Sequence, residues 1–177
     1  DVVGIISDNR FGVRSKKIPS VYMTHQVNVL SGIFTFFSSK MHQSFIKKFD
    51  ECWVPDSNFN ELSGKLSKTN NKKLNLKYIG AFSRFEKEKR PIKNDVLIIL
   101  SGIESQREKL EKTFMKSFKK SNQKVVMIQG NIEKAQQQRL LGNLPIYNYL
   151  LSKELEREIN QSEIIICRSG YSSIMDL

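Results

Sequence analysis

Short runs of consecutive apolar residues alternate along this chain with stretches in which apolar residues return every third or fourth position. The first kind predicts strands over residues 2–6, 21–23, 51–54, 96–100, 125–128 and 164–167, with a further extended run inside 76–82. The second kind predicts helices. Met41, Phe45 and Phe49 repeat at four-residue spacing within 39–49, Leu110, Phe114 and Phe118 do so after Gly102, and Leu151, Leu155 and Ile159 share one face of 151–159. Breaks fall where turn chemistry places them, at Pro19, at Pro55-Asp56 and at Ser101-Gly102. Residues 63–75, rich in Lys and Asn, read as a loop. Residues 83–95, highly charged around one Pro, read as a linker.

Strands that are apolar throughout, with helices between them, are the mark of a parallel sheet covered on both faces. The expected class is α/β, with two Rossmann-like parallel-sheet units over 1–82 and 96–177. No repeat of fixed period is present. The chain opens without Met on a strand-like run. It stops at 172–177 in the first turns of a helix, with Ser172 or Ser173 as N-cap and no C-cap. This gives the expectation of an internal fragment in which both units are incomplete.

Composition narrows the classes. Of 177 residues, 39% are hydrophobic and 10% aromatic, enough for a folded core rather than a disordered chain. Two cysteines exclude a disulfide-stapled mini-protein and a cysteine-rich zinc module. The longest mostly apolar stretch, residues 27–37, is interrupted by Asn28, Ser31 and Thr35 and falls short of the roughly 20 residues of a spanning helix. A basic protein of the cytoplasm is the expectation. The net charge is +11, and residues 1–90 carry most of it, with 16 Lys and Arg against 8 Asp and Glu. An anionic partner suits that excess: a phosphorylated substrate, an anionic membrane or nucleic acid; a merely solvated basic face suits it too.

The chemistry-bearing feature is a strand, a Gly turn and a helix start, found at Ile99-Leu100-Ser101-Gly102 and again at Ile166-Cys167-Arg168-Ser169-Gly170. In an open parallel sheet, ligands bind beyond the carboxyl ends of the strands. A helix start there offers backbone N–H groups and partial positive charge to a phosphate. Gly102 and Gly170 permit close approach, Ser101, Ser169, Ser172 and Ser173 add hydroxyls, and Arg168 adds a permanent bidentate cation. Asp176, about two turns along, is able to accept hydrogen bonds from vicinal sugar hydroxyls. Ordinary turn glycines and a surface Arg are the competing reading. Walker, GxGxxG, GxSxG, CxxC, HExxH and Asp-x-Asp patterns are all missing from the sequence, and only His25 and His42 are on hand for a histidine-based metal site.

The run Arg168-Ser169-Gly170-Tyr171-Ser172-Ser173-Ile174-Met175-Asp176-Leu177 resembles the donor-binding half of GT-B glycosyltransferases of family 28. That family includes enzymes that add N-acetylglucosamine to lipid-linked muramoyl-pentapeptide. The closest likeness is to bacterial glycosyltransferases with an RSGYS-type donor loop. The resemblance implies a turn at Arg168, Ser169 and Gly170 beside the donor, with Asp176 at the ribose of UDP, where family members often carry Glu. It further implies diphosphate contacts along Ser101, Gly102 and Arg107, although the family's double Gly is not kept. Tyr149 and Leu150 fall in the loop whose backbone meets the uracil. His25 and Asn28 match the acceptor-side His-Glu-Gln-Asn stretch. By this resemblance the protein is a metal-independent, inverting transferase of a sugar from a UDP-sugar to a glycan or lipid-linked acceptor hydroxyl, without a cofactor. The family's Gly-rich base loop would lie before Asp1 and its Gln segment after Leu177, so the fragment alone is expected to be inactive.

Other readings stand beside it: a UDP-sugar 2-epimerase of the same fold, a noncatalytic GT-B subunit, and a basic nucleic-acid-binding module, the last without any of its usual signatures. His25 suits either an acceptor base or a structural role. His42 is expected on a helix surface, Cys52 and Cys167 as buried free thiols, and Trp53 in the core. Phe34, Phe36, Phe37 and Phe45, interleaved with Lys40, Lys47 and Lys48, suit peripheral contact with an anionic membrane at its inner face.

Overall fold

The computed structural model of the protein describes residues 1–57, 62–133 and 135–177. The chain divides into two units, Asp1–Phe82 and Ser83–Leu177.

The first unit holds four parallel strands in sequence order: β1 (Ile5–Asp8), β2 (Ser20–Met23), β3 (Glu51–Val54) and β4 (Leu76–Tyr78). Helix α1 (Thr35–Ile46) makes the crossover from β2 to β3. Side chains alternate across the sheet as the two-residue period demands. Tyr22, Cys52 and Val54 are buried, while Val21, Met23 and Trp53 on the other face are not. Tyr22 stands opposite Cys52, and Cys52 opposite Leu76, so the buried row runs straight across the strands. Ile46 and Phe49 close over it, and Phe11 stacks on Tyr22 with ring centroids 5.0 Å apart. This sheet therefore buries one face, where the sequence pattern predicts two.

The second unit meets that expectation at its centre. Its strands are β5 (Asn94–Ile99), β6 (Val125–Ile128), β7 (Gln138–Leu141), β8 (Leu144–Tyr147) and β9 (Ser162–Cys167), in the spatial order β7-β8-β6-β5-β9. Val96, Ile98, Val125 and Met127 face the apolar side of α2 (Glu104–Phe118), meeting Leu110, Phe114, Met115 and Phe118. Leu97, Val126 and Ile128 face the opposite way, toward Leu155 and Ile159 of α3 (Ser152–Asn160). The short α4 (Tyr171–Asp176) follows β9.

Three elements differ from the pattern-based expectation. β7 runs antiparallel to β8 through the Gly142-Asn143 turn, so the five-stranded sheet is mixed rather than wholly parallel. β1 begins at Ile5 rather than Val2, and α1 spans Thr35–Ile46 rather than 39–49, which leaves Phe49 of the expected stripe beyond its end and Met41 exposed. The charged segment 83–93 is tied to the second unit. The Glu86 and Glu88 amides donate to the side chains of Glu156 and Asn160, and the Lys93 amide donates to the Gln161 carbonyl.

Gly130, after β6, takes φ +68°, and a Cβ there would stand 2.5 Å from the Leu100 carbonyl oxygen. Gly130→Ala should therefore cost about 1–3 kcal/mol in backbone strain, besides the clash, and lower the thermal midpoint by several degrees. Gly12, whose added Cβ would meet nothing within 4 Å, serves as control. Gly12→Ala should leave the midpoint within the scatter of surface substitutions in a calorimetric scan.

Candidate phosphate site at the strand ends of the second unit

The order of the second sheet decides where its open end lies. From β5 the chain passes through α2 to β6 and on to β8, then returns through α3 on the opposite face to reach β9 beside β5. β5 and β9 are parallel neighbours whose connections leave in different directions, the arrangement that opens a crevice at the carboxyl ends of strands. Ile99 pairs with Cys167, which brings the Ser101-Gly102 turn and Arg168 side by side although they lie 67 positions apart.

The contact is direct. Arg168 Nη1 donates to the Ser101 carbonyl at 3.2 Å. Gly102 has φ +91°, and a Cβ at that position would fall 1.8 Å from the same Nη1. The guanidinium thus occupies space that only glycine leaves open, and its charge stands beside the turn that starts α2. Ile103, at the N-cap of α2, provides no side-chain cap, so this helix end meets ligand or solvent through its backbone N–H groups. Glu104 in the first turn opposes an anion locally. Arg107, one turn in, lies 3.9 Å from Glu104 and donates to the Gly130 carbonyl at 3.3 Å. Gly130 in turn lies against the Leu100 carbonyl. The ends of β5, β6 and β9 are knitted together in this way, with two arginines among them.

Of the residues singled out from sequence, Ser101, Gly102, Arg107 and Arg168 are brought together here. Ser169, Gly170 and Ser172 continue the turn from Arg168 and are exposed; the Gly170 amide donates to the Arg168 carbonyl at 2.7 Å. Tyr149 and Leu150 lie between β8 and α3, both half-buried, with Leu150 packed on the Leu97–Val126–Ile128 cluster. Asp176 is engaged elsewhere. Its carboxylate accepts from the Arg84 amide and Nε, both at 3.0 Å, from Arg84 Nη2 and from the Ser83 hydroxyl. Burial alone would raise its pKa, but the side-chain and backbone hydrogen bonds from Arg84 outweigh that and hold it below the ordinary carboxylate value. A ribose at Asp176 would have to displace Arg84.

Gly130 and Arg84 were missed from sequence. The strand–Gly pattern at Val125–Gly130 carried the signal for the first. Nothing local marked the second, whose partner lies 92 positions downstream. Beside Gly130, a polar cavity of 230 Å³ is lined largely by carboxamides, among them Gln129, Asn131, Gln137 and Asn148.

In the first unit, His25 follows β2 and is half-buried. Burial lowers its pKa against the pull of Asp8 and Asp56, leaving a neutral imidazole at neutral pH. Asn28 is committed to the fold. Its amide donates to the Lys65 and Lys68 carbonyls, and its oxygen accepts from Gln43. His42, expected on the surface, is half-buried: its ring stands edge-on to Phe11, and its Nε2 donates to the Gln26 carbonyl at 2.6 Å. Cys52 is buried, its thiol pKa pushed up to about 12 by that burial. Cys167, by contrast, is only half-buried. Trp53 is half-buried and donates to Glu51. No known family's sequence profile matches the chain, and no curated protein resembles it in sequence.

Asp56 is a polar anchor of the first unit. Fully buried, it accepts the amides of Ser57, Leu62 and Ser63 and the hydroxyls of Ser63 and Ser67. Burial raises its pKa, and these hydrogen bonds more than reverse the effect. The sign of the pH dependence follows. His25 and His42 titrate below their usual 6.5, chiefly through burial, so the unfolded chain binds protons first and stability falls as pH drops below that value. Asp56 and Asp176 are depressed as well, so their contribution is complete above about pH 4 and lost as pH falls through their folded values. Thermal midpoints should therefore decline in two steps on acidification. Asp56→Asn should cost about 2–3 kcal/mol at pH 7, leaving donors without their anion, and should shrink the lower step.

Proposed function

We propose that the second unit binds the diphosphate of a UDP-sugar at the joined ends of β5 and β9, and that the protein is a glycosyltransferase of the GT-B class. The observation that carries this reading is the Arg168 guanidinium lodged over Gly102 and bonded to Ser101, at the point where the crossovers diverge. The two α/β units in series, Asp1–Phe82 and Ser83–Leu177, suit the class. In the reaction, the acceptor oxygen bonds to the anomeric carbon as the carbon–oxygen bond to the diphosphate breaks, inverting that carbon. The acceptor proton passes to a base, and UDP leaves with the bonding pair. Charge growing on the diphosphate is met by Arg168, Arg107 and the start of α2, groups fixed before the reaction begins. Tyr149 and Leu150, in the loop that follows β8, supply backbone for the uracil.

Calorimetric titration of the folded chain with UDP, with ADP and GDP as controls, tests the reading. UDP should bind selectively. Arg168→Ala should weaken it about tenfold or more through the lost charge-assisted bonds. Gly102→Ala should do likewise, because its Cβ expels the guanidinium. A folded protein indifferent to UDP, or one binding all three nucleotides equally with and without Arg168, would overturn the assignment. Salt-sensitive binding to unrelated duplexes in place of UDP would point to nucleic acid.

A further inference from the structure

The outward face of α1 carries a dense run of exposed apolar side chains. An α-helix turns about 100° per residue, so Phe36, Phe37, Lys40, Met41 and Ser44 share an arc of about 140°. This arc points away from the core, which the helix reaches through Ile46 and the partly buried Phe45. Phe36, Phe37 and Met41 are exposed, and so are Leu30, Ile33 and Phe34 leading into the helix; the six range from 55% to 89%. Isolated exposed apolar side chains are ordinary, but six within twelve residues form a patch that marks a contact surface.

Charge selects the partner. From His25 to Phe49 there are three lysines and no Asp or Glu. The Lys40 ammonium lies over the Phe36 ring, 5.9 Å from its centroid, and that of Lys48 over Phe45 at 4.8 Å, so each cation is held against an aromatic face. An open cleft of 960 Å³ alongside is lined by Leu30, Ile33 and Phe36 and by Lys40, Lys65 and Lys68, again without an acid. A second copy docking through this face would bring its own lysines against these with nothing to neutralise them. No described helix is long and apolar enough to cross a membrane. Exposed aromatic side chains interleaved with lysines along a short helix fit a helix lying in the headgroup plane. We infer that α1 and the turn before it form a docking surface for an anionic lipid bilayer: Ile33, Phe34, Phe36, Phe37 and Met41 enter the interface, and Lys40, Lys47 and Lys48 meet the phosphates. This inference is independent of the UDP-sugar reading.

Vesicle flotation of the whole chain tests it, comparing pure phosphatidylcholine with phosphatidylcholine containing phosphatidylglycerol. The protein should float with the anionic vesicles, and salt should release it. Each basic residue near an anionic surface is worth about fivefold in partitioning, so Lys47→Glu with Lys48→Glu should reduce binding by tenfold or more. Phe36→Ser with Phe37→Ser should do the same, and both pairs lie outside the core, so circular dichroism should stay unchanged. A separate Phe36→Trp variant should shift its emission to the blue on anionic vesicles alone. Absence of binding to anionic vesicles, binding that neither pair alters, or self-association that Phe36→Ser with Phe37→Ser abolishes without any vesicle binding would each overturn the inference.

Discussion

Strand β5 is buried on both faces, and the second unit follows from that constraint. A strand apolar at every position from Val96 to Ile99 cannot face water on either side there, so helices must cover both. α2 covers the Val96–Ile98 face and α3 the Leu97 face. A chain that puts one helix above the sheet and the next below has to reverse its direction of travel across it. Here the reversal falls between β5 and β9. The junction where Arg168 meets Gly102 is thus a by-product of covering a hydrophobic strand.

The first unit solves a different problem. Its sheet has one strongly buried face, so less of its order comes from apolar packing and more from polar ties. Asp56 gathers five donors among the described residues around one carboxylate, and Asn28, Gln43 and Asn71 form a chain of carboxamides between α1 and the turns after Gly64. Such networks are stiff when every member is satisfied and costly when one is lost. Asn28 shows the consequence for reading function from motifs, because a residue suited to an acceptor hydroxyl is already spending its hydrogen bonds on the protein.

How far the sequence could be read depended on the range of the interactions. β5, β6, α2 and α3 were legible because continuous apolar runs and four-residue stripes are local signals with few alternatives. The β7–β8 hairpin was not found, although Gly142-Asn143 is a turn dipeptide of the kind hairpins use; Gln138 and Arg139 lacked the apolar run that draws attention to a strand. At the site, the two Gly turns were visible one at a time, while their meeting depended on the β5–β9 pairing and could not be seen from either. Asp176 illustrates the same limit. Its position suited a sugar, and the contact that occupies it comes from Arg84, across the whole unit.

That tie has a mechanical meaning. Arg84 lies ahead of β5 and Asp176 follows β9, so one carboxylate clasps the segment that enters the sheet to the helix that leaves it. Tension applied between these two positions would load the Arg84–Asp176 pair before it reached any strand, making the pair the mechanical fuse of that sheet.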